Sequence, residues 1–249
     1  MLEKEGKKKL RNDCSHIMMR VAIIQPGYIP WLGFFELMAS SNIFVIYDDV
    51  QFDKYGWRNR NSIKTSQGKQ WLSIPVLTKG KSRQKNCEVL VDGDNWKSKH
   101  LKSIQQNYIK AKYFDEIFPI IKAGLQLDSG KLVDYDLFFI SELARYLRID
   151  TDIVLSSSLD IKGKGKSDRL ASVCRHFNAS HYYNGAAGKM LYKKEEFLKH
   201  GLILEFQNYK HPQYTQLYGE FIPYLSIVDL LFNAGHASLE IILSGRGVI

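Results

Sequence analysis

Only three cysteines occur in the 249 residues, at Cys14, Cys87 and Cys174. They are odd in number and far apart, a spacing that suits neither a zinc site nor a disulfide framework. A reducing cytoplasm is the simplest setting, and Cys174, inside a helical pattern, reads as a small core residue. No apolar run approaches the length needed to cross a bilayer, so no membrane span is expected. The N-terminal stretch Met1–Ser15, with Lys7, Lys8 and Lys9 in a row, lacks the apolar core of a secretory signal. Residues 1–19 read as a disordered basic extension, with Met18 or Met19 a candidate start. Nucleophile-elbow, HExxH and paired-cysteine motifs are all missing, so neither a metal nor a cofactor is expected. No Pro-rich linker, low-complexity segment or internal repeat divides the chain, and residues 20–249 are expected to form a single α/β domain.

Hydrophobic residues make up 45% of the chain and charged residues 24%, enough to bury a sizeable core. The formal charge of +9 admits nucleic acid, anionic lipid or a phosphorylated substrate as partners. The lysines are scattered rather than gathered in one block, and a solvated basic surface fits equally well.

Apolar periodicity sets out the elements. Val21–Gln25 and Ile43–Tyr47 read as buried strands on either side of a helix over Trp31–Ser40, a β-α-β unit that favours parallel pairing. A further strand is expected over Trp71–Leu77, entered by a turn at Gly68 and Lys69, and another over Val89–Val91. Three helices follow, the first capped by Asn95, which gives a helical insertion over about 95–147. Alternation then resumes, with strands at Ile153–Ser157, His181–Tyr183 and Leu202–Phe206 and helices at Ser167–Phe177 and Glu195–His200. The chain closes on a short apolar helix over Ser226–Asn233. The fold class expected is α/β, a mainly parallel sheet with flanking helices.

Chemistry is expected past the carboxyl ends of the strands, where open parallel sheets bind ligands. In the loop Gln25–Trp31, two prolines and a glycine fix the backbone, Gln25 offers an amide, and Tyr28 and Trp31 offer flat faces for a sugar or base; packing is the competing role of both aromatics. After the second strand come Asp48, Asp49 and Gln51. Neighbouring strand residues face opposite sides, so one aspartate could be a general base and the other a cap or an arginine partner. In Trp57–Asn61, an extended backbone would put Arg58 and Arg60 on one face and Asn59 and Asn61 on the other. The guanidinium forks suit phosphate or carboxylate and the amides suit sugar hydroxyls; an internal lock of either arginine on an aspartate is compatible with both. Gln25, one of the aspartates and one of these arginines are expected to converge on one cleft. The segment Lys162–Arg169, with Lys166 and Ser167, offers an anion site at a helix start, although Asp160 stands where a Walker A loop needs its first glycine. Ser167 or Asp168 could equally be a helix cap. A loop with Gly185 and Gly188 follows a later strand, and His211–Gln216 could close over it.

Taken in order, these segments resemble the WbqC-like protein family. The resemblance rests on Gln25-Pro26-Gly27-Tyr28-Ile29-Pro30-Trp31-Leu32-Gly33-Phe34-Phe35, Tyr47-Asp48-Asp49-Val50-Gln51-Phe52, Arg58-Asn59-Arg60-Asn61, Trp71-Leu72-Ser73-Ile74-Pro75-Val76 and the closing Leu225 to Gly235. It implies a role in bacterial surface polysaccharide (O-antigen, lipopolysaccharide) biosynthesis, as an acyl or aminoacyl transferase, glycyl included, acting on an amino sugar. The expected partners are small molecules, a nucleotide-linked amino sugar and an activated acyl donor, and no nucleic acid. The alternative is a non-catalytic sugar-nucleotide-binding or scaffold protein of the same assembly pathway.

Overall fold

The computed structural model describes residues 18–247, so the basic extension read over 1–19 lies, as far as residue 17, outside the described residues. The chain opens with β1 (Arg20–Ile24), α1 (Leu32–Ala39) and β2 (Ile43–Ile46). A hairpin follows, β3 (Arg60–Thr65) and β4 (Gly68–Ser73), then three helices, α2 (Asn95–Tyr108), α3 (Phe114–Leu125) and α4 (Leu132–Tyr146). Alternation returns with β5 (Asp152–Leu155), α5 (Lys166–His176), β6 (His181–Asn184), α6 (Lys194–Leu198) and β7 (Ile203–Phe206), and the chain ends in α7 (Ile227–Ala234) and α8 (Ser238–Ser244).

β1, β2, β5, β6 and β7 form one all-parallel sheet in the order β5-β2-β1-β6-β7. Its inner strands β1 and β2 are short apolar runs buried on both faces, as a sheet covered on two sides requires, whereas β5 and β7 at its margins are partly exposed. Ala22, Phe44 and Ile46 point into the larger core, with α1, α2, α3, α4 and α7, while Val21, Ile23 and Val45 point into a second core with α5. Cys174 is fully buried in that second core. Ile24 pairs with Ile46, and Ile46 with Leu155, so these strands end in line and Gln25, Tyr47 and Ser156 leave one edge side by side.

Helix α1 is apolar all round, because it lies between the sheet and the C-terminal helices. Its one acid, Glu36, is buried and accepts hydrogen bonds from Ser40, Tyr183, Gln207 and Arg246, which ties the helix to β6 and to the segment after β7.

The hairpin departs from the sequence reading. Gly68 and Lys69 lie inside β4, opposite Thr65 and Lys64, and the turn is Ser66-Gln67, with Gly68 at φ +99°. β3 went unread because its run RNSIKT has one aliphatic residue, yet Asn61, Ser62 and Lys64 are all buried. Val89–Val91 makes only isolated bridges, Val76 to Val91 and Leu90 to Lys131. Asp94, not Asn95, precedes the first turn of α2, and its side chain makes no capping bond. The apolar stretch Ile227–Ser244 is the one described segment long and apolar enough for a bilayer, but it is half buried and is broken at Gly235–Ala237 into α7 and α8.

Candidate functional site

Two chambers open at the carboxyl edge of the sheet and meet at Gln25. The inner one, about 340 Å³, has aromatic walls, Trp31, Phe34, Trp57 and Tyr224, around the polar groups of Gln25, Arg58 and Asn61. Its floor is the Gln25–Pro30 loop, pinned from the hairpin side. Arg58 Nη1 donates to the carbonyls of Gln25 (3.0 Å) and Pro26 (2.9 Å), and the Tyr28 amide donates back to Arg58 O at 3.0 Å. Asn61 Nδ2 donates to Ile29 O at 2.8 Å. Gly27 lies so close that a Cβ there would meet Trp57 O at 3.0 Å. Trp31 is held by a near-parallel stack on His211, with Tyr209 edge-on.

The outer chamber is larger, about 780 Å³, and more polar. Tyr47, Gln51, Asp53, Lys54, Lys166 and Tyr192 line it. Gln51 Nε2 donates to Ser82 O at 2.8 Å, and Gln25 Oε1 accepts from Asn86 at 3.3 Å.

The aspartates lie elsewhere. Asp48 is buried and its oxygens accept from Ser156 Oγ (3.0 Å), Ser157 N (2.9 Å) and Ser157 Oγ (2.6 Å). Asp49 shares the single Ser156 hydroxyl proton with Asp48, its Oδ1 lying 2.6 Å from Ser156 Oγ, and forms an ion pair with Arg169. β2 ends at Ile46, so strand alternation no longer separates the two, and both reach the serines after β5. Neither lines a chamber; Asp49 borders a separate depression of about 460 Å³ with Lys162 and Arg169. The expected convergence is therefore partial: Gln25 and Arg58 meet, and the aspartates pair with neither Arg58 nor Arg60.

Other expected residues divide in the same way. Tyr28 offers no face to a ligand; it is buried with its hydroxyl 3.0 Å from His100 Nδ1. Arg60 donates to Tyr55 O at 2.7 Å and lies over the Trp71 ring, and Asn59 donates to Ile74 O at 2.8 Å. Arg58 precedes β3, so the alternation expected of an extended segment does not relate it to Arg60. The Lys162–Arg169 segment folds on itself: Asp168 accepts from Lys164 N, Ser167 donates to Glu196, and Arg169 donates to Ile161 O. Gly165 takes the N-cap position, so neither Ser167 nor Asp168 does. Gly185 and Gly188 line neither chamber, and Gly188 packs on the Asn184 amide. The Leu191 and Tyr192 side chains, farther along that loop, reach the outer chamber instead. His211 packs on the Trp31 wall rather than over the glycine loop.

Sequence reasoning missed Phe34, Trp57 and Tyr224 as chamber walls and Asp53 as the carboxylate of the outer chamber. It also missed the layer beneath Arg58. Asp136 is fully buried, neither of its oxygens has a hydrogen-bond partner among the described residues, and burial raises its carboxyl well above the usual range, a shift the Arg58 charge opposes. The signal was present in Leu132–Ile140, a strongly apolar helical run carrying acids at 134 and 136.

His100 belongs to the same layer. Burial lowers its imidazole from 6.5 to about 4, and a bond to the Ser73 backbone opposes the shift. The unfolded chain takes up this proton near pH 6.5, whereas the folded protein resists it down to about pH 4. The stability His100 contributes is complete above that window and is lost as pH falls through it, by about 3 kcal/mol at most. Urea titrations between pH 7 and 4 are expected to show this loss in the native protein and a shallower one in His100→Gln. Equal slopes would assign the loss to other groups.

A model of the WbqC-like protein family matches residues 25–241. The chain is also 38% identical over 220 residues to "Uncharacterized protein Rv1507c" of Mycobacterium tuberculosis, an alignment that covers 88% of this chain and 95% of the relative. No solved structure matches.

Proposed function

The chain belongs to the WbqC-like protein family, and from that premise we propose that it binds a nucleotide-linked amino sugar across the two chambers and acylates the sugar amine. The acyl group is simple or aminoacyl, glycyl among them, and the product enters bacterial surface polysaccharide, O-antigen included, in the cytoplasm. The observation that carries the reading is the junction at Gln25 between an aromatic-walled chamber and a larger one bearing Lys54 and Lys166. Flat aromatic walls suit a sugar or base, and lysines suit phosphate. In the transfer, the neutral amine attacks the acyl carbon, the N–C bond forms, the bond to the donor's leaving group breaks, and the amine proton passes to a base. Asp48 and Asp49 are bonded internally and line neither chamber, so that role falls to Asp53, which lines the outer chamber and whose Oδ1 accepts from the Tyr55 amide at 3.0 Å.

The same commitment of Asp48 and Asp49 favours a second reading, a non-catalytic binding or scaffold protein that uses the same chambers. Incubation with a panel of nucleotide-linked amino sugars and activated acyl donors, followed by mass spectrometry and calorimetry, separates the two. Transfer predicts an acylated product and a drop of about 10²- to 10⁴-fold in Asp53→Asn with binding retained. Binding without product throughout the panel supports the second reading, and no binding sinks both.

A further inference from the structure

We propose that the rim of the cleft is a docking surface for an anionic bilayer, so that both chambers open toward lipid headgroups. Exposed apolar side chains are gathered at this mouth. Trp57 and Tyr224 are exposed walls of the inner chamber, and Tyr55 and Leu191 are exposed walls of the outer one. Trp71 stands beside Trp57 with ring centroids 5.2 Å apart, and Met190, next to Leu191, is 92% exposed. Single exposed apolar residues need no explanation, but a cluster around one opening does.

The charges beside these side chains identify the partner. Lys69 Nζ lies 4.9 Å from the Trp71 ring centroid and 5.7 Å from that of Trp57, and the Arg60 guanidinium lies 5.2 Å from Trp71. Lys54 Nζ is 5.9 Å from the Tyr55 ring. On the other side of the mouth, Met190 and Leu191 form an apolar tip between Lys189 and the pair Lys193-Lys194. None of these six cations is in an ion pair among the described residues. Asp53, Glu195 and Glu196 are the acids within or beside the same stretches, three against six cations, so the rim is net positive. Tryptophan and tyrosine with basic neighbours suit the boundary between headgroups and acyl chains, where the rings reach the acyl region and the cations meet phosphate. Base stacking is the less suitable alternative, because Lys69 and Arg60 already occupy positions over the indole rings. The inference does not depend on acyl transfer.

The test is flotation of the full chain with vesicles of phosphatidylcholine alone or with about one-third phosphatidylglycerol, a charge contrast that acts through surface lysines. Binding is expected to the anionic vesicles only and to weaken with salt. Brominated acyl chains are expected to quench the tryptophan fluorescence of the bound native protein. Lys69→Glu with Met190→Ser should weaken binding at least tenfold, about one decade or more for a two-charge reversal and a lost apolar tip. Ile203→Ser, at the exposed amino-terminal start of β7 on the opposite edge, should leave binding unchanged. No flotation at low salt, equal flotation on phosphatidylcholine alone, equal loss in Ile203→Ser, or retention on a single-stranded oligonucleotide without vesicle binding would each overturn the proposal.

Discussion

Replacing Asp229 by alanine is expected to cost the fold about 3–5 kcal/mol, the cost of breaking a buried charge network by removing one member. Asp229 lies in the first turn of α7 and is fully buried. It accepts from Tyr108 Oη at 2.7 Å and from Tyr214 Oη at 2.9 Å. Tyr108 Oη in turn accepts from the Lys64 amide at 3.0 Å, and Lys64 Nζ donates to Gln216 Oε1 (3.1 Å) and to Glu220 O (2.5 Å). One carboxylate thus joins α7, α2, β3 and the segment after β7. Alanine would leave the buried Tyr108 hydroxyl and the half-buried Tyr214 hydroxyl without their acceptor, and the buried Lys64 without its nearby acid. Asparagine keeps the volume and one acceptor, and the tyrosine hydroxyls can rotate, so Asp229→Asn should cost about 1–2 kcal/mol. Urea unfolding with tryptophan fluorescence measures both. A loss below about 1 kcal/mol in the alanine variant would show that the network contributes little to stability.

The same residue shows what could be read from the sequence and what could not. The β-α-β unit, the parallel sheet and the long helices were legible, because their apolar periods fix local structure and burial together. The hairpin was not, since β3 buries polar side chains whose partners, such as Gln216 for Lys64, lie some 150 residues away in the chain. Asp229 sat in the recognised closing motif, but nothing local marks it as the acceptor for Tyr108 and Tyr214.

The site was legible where backbone direction decides and illegible where partners decide. Ending two parallel strands in register brings Gln25 and the two aspartates to one edge, and the sequence supports that inference. Which arginine pairs with an aspartate depends on the approach of α5, and this favours Arg169 over Arg58. The aromatic walls come from α1, the hairpin entrance and the segment before α7, so no single window of sequence contains them.

Arg58→Lys is expected to weaken binding of a nucleotide-linked amino sugar by about 3 kcal/mol, a hundredfold or more, while leaving the protein folded. Arg58 holds the chamber floor with two bonds from one nitrogen, to the Gln25 and Pro26 carbonyls, and its Nε is buried without a partner among the described residues. Burial lowers its basicity, and the charges of Asp136 and Asp53 oppose that shift. A lysine ammonium is a single point charge that cannot reproduce a planar guanidinium bonded to both loop carbonyls. Even with its charge kept, the loop carrying Gln25 loses its anchor and the junction of the chambers loses its shape. Arg60→Lys is the matched control: Arg60 lies outside both chambers, bonded to Tyr55 O and Gly56 O, and its replacement should change affinity by less than threefold, the range of a surface substitution. Calorimetry on the two variants distinguishes a site built on Arg58 from a general effect of basic charge. Equal losses in both would mean that the ligand is held by the positive surface rather than by the chamber.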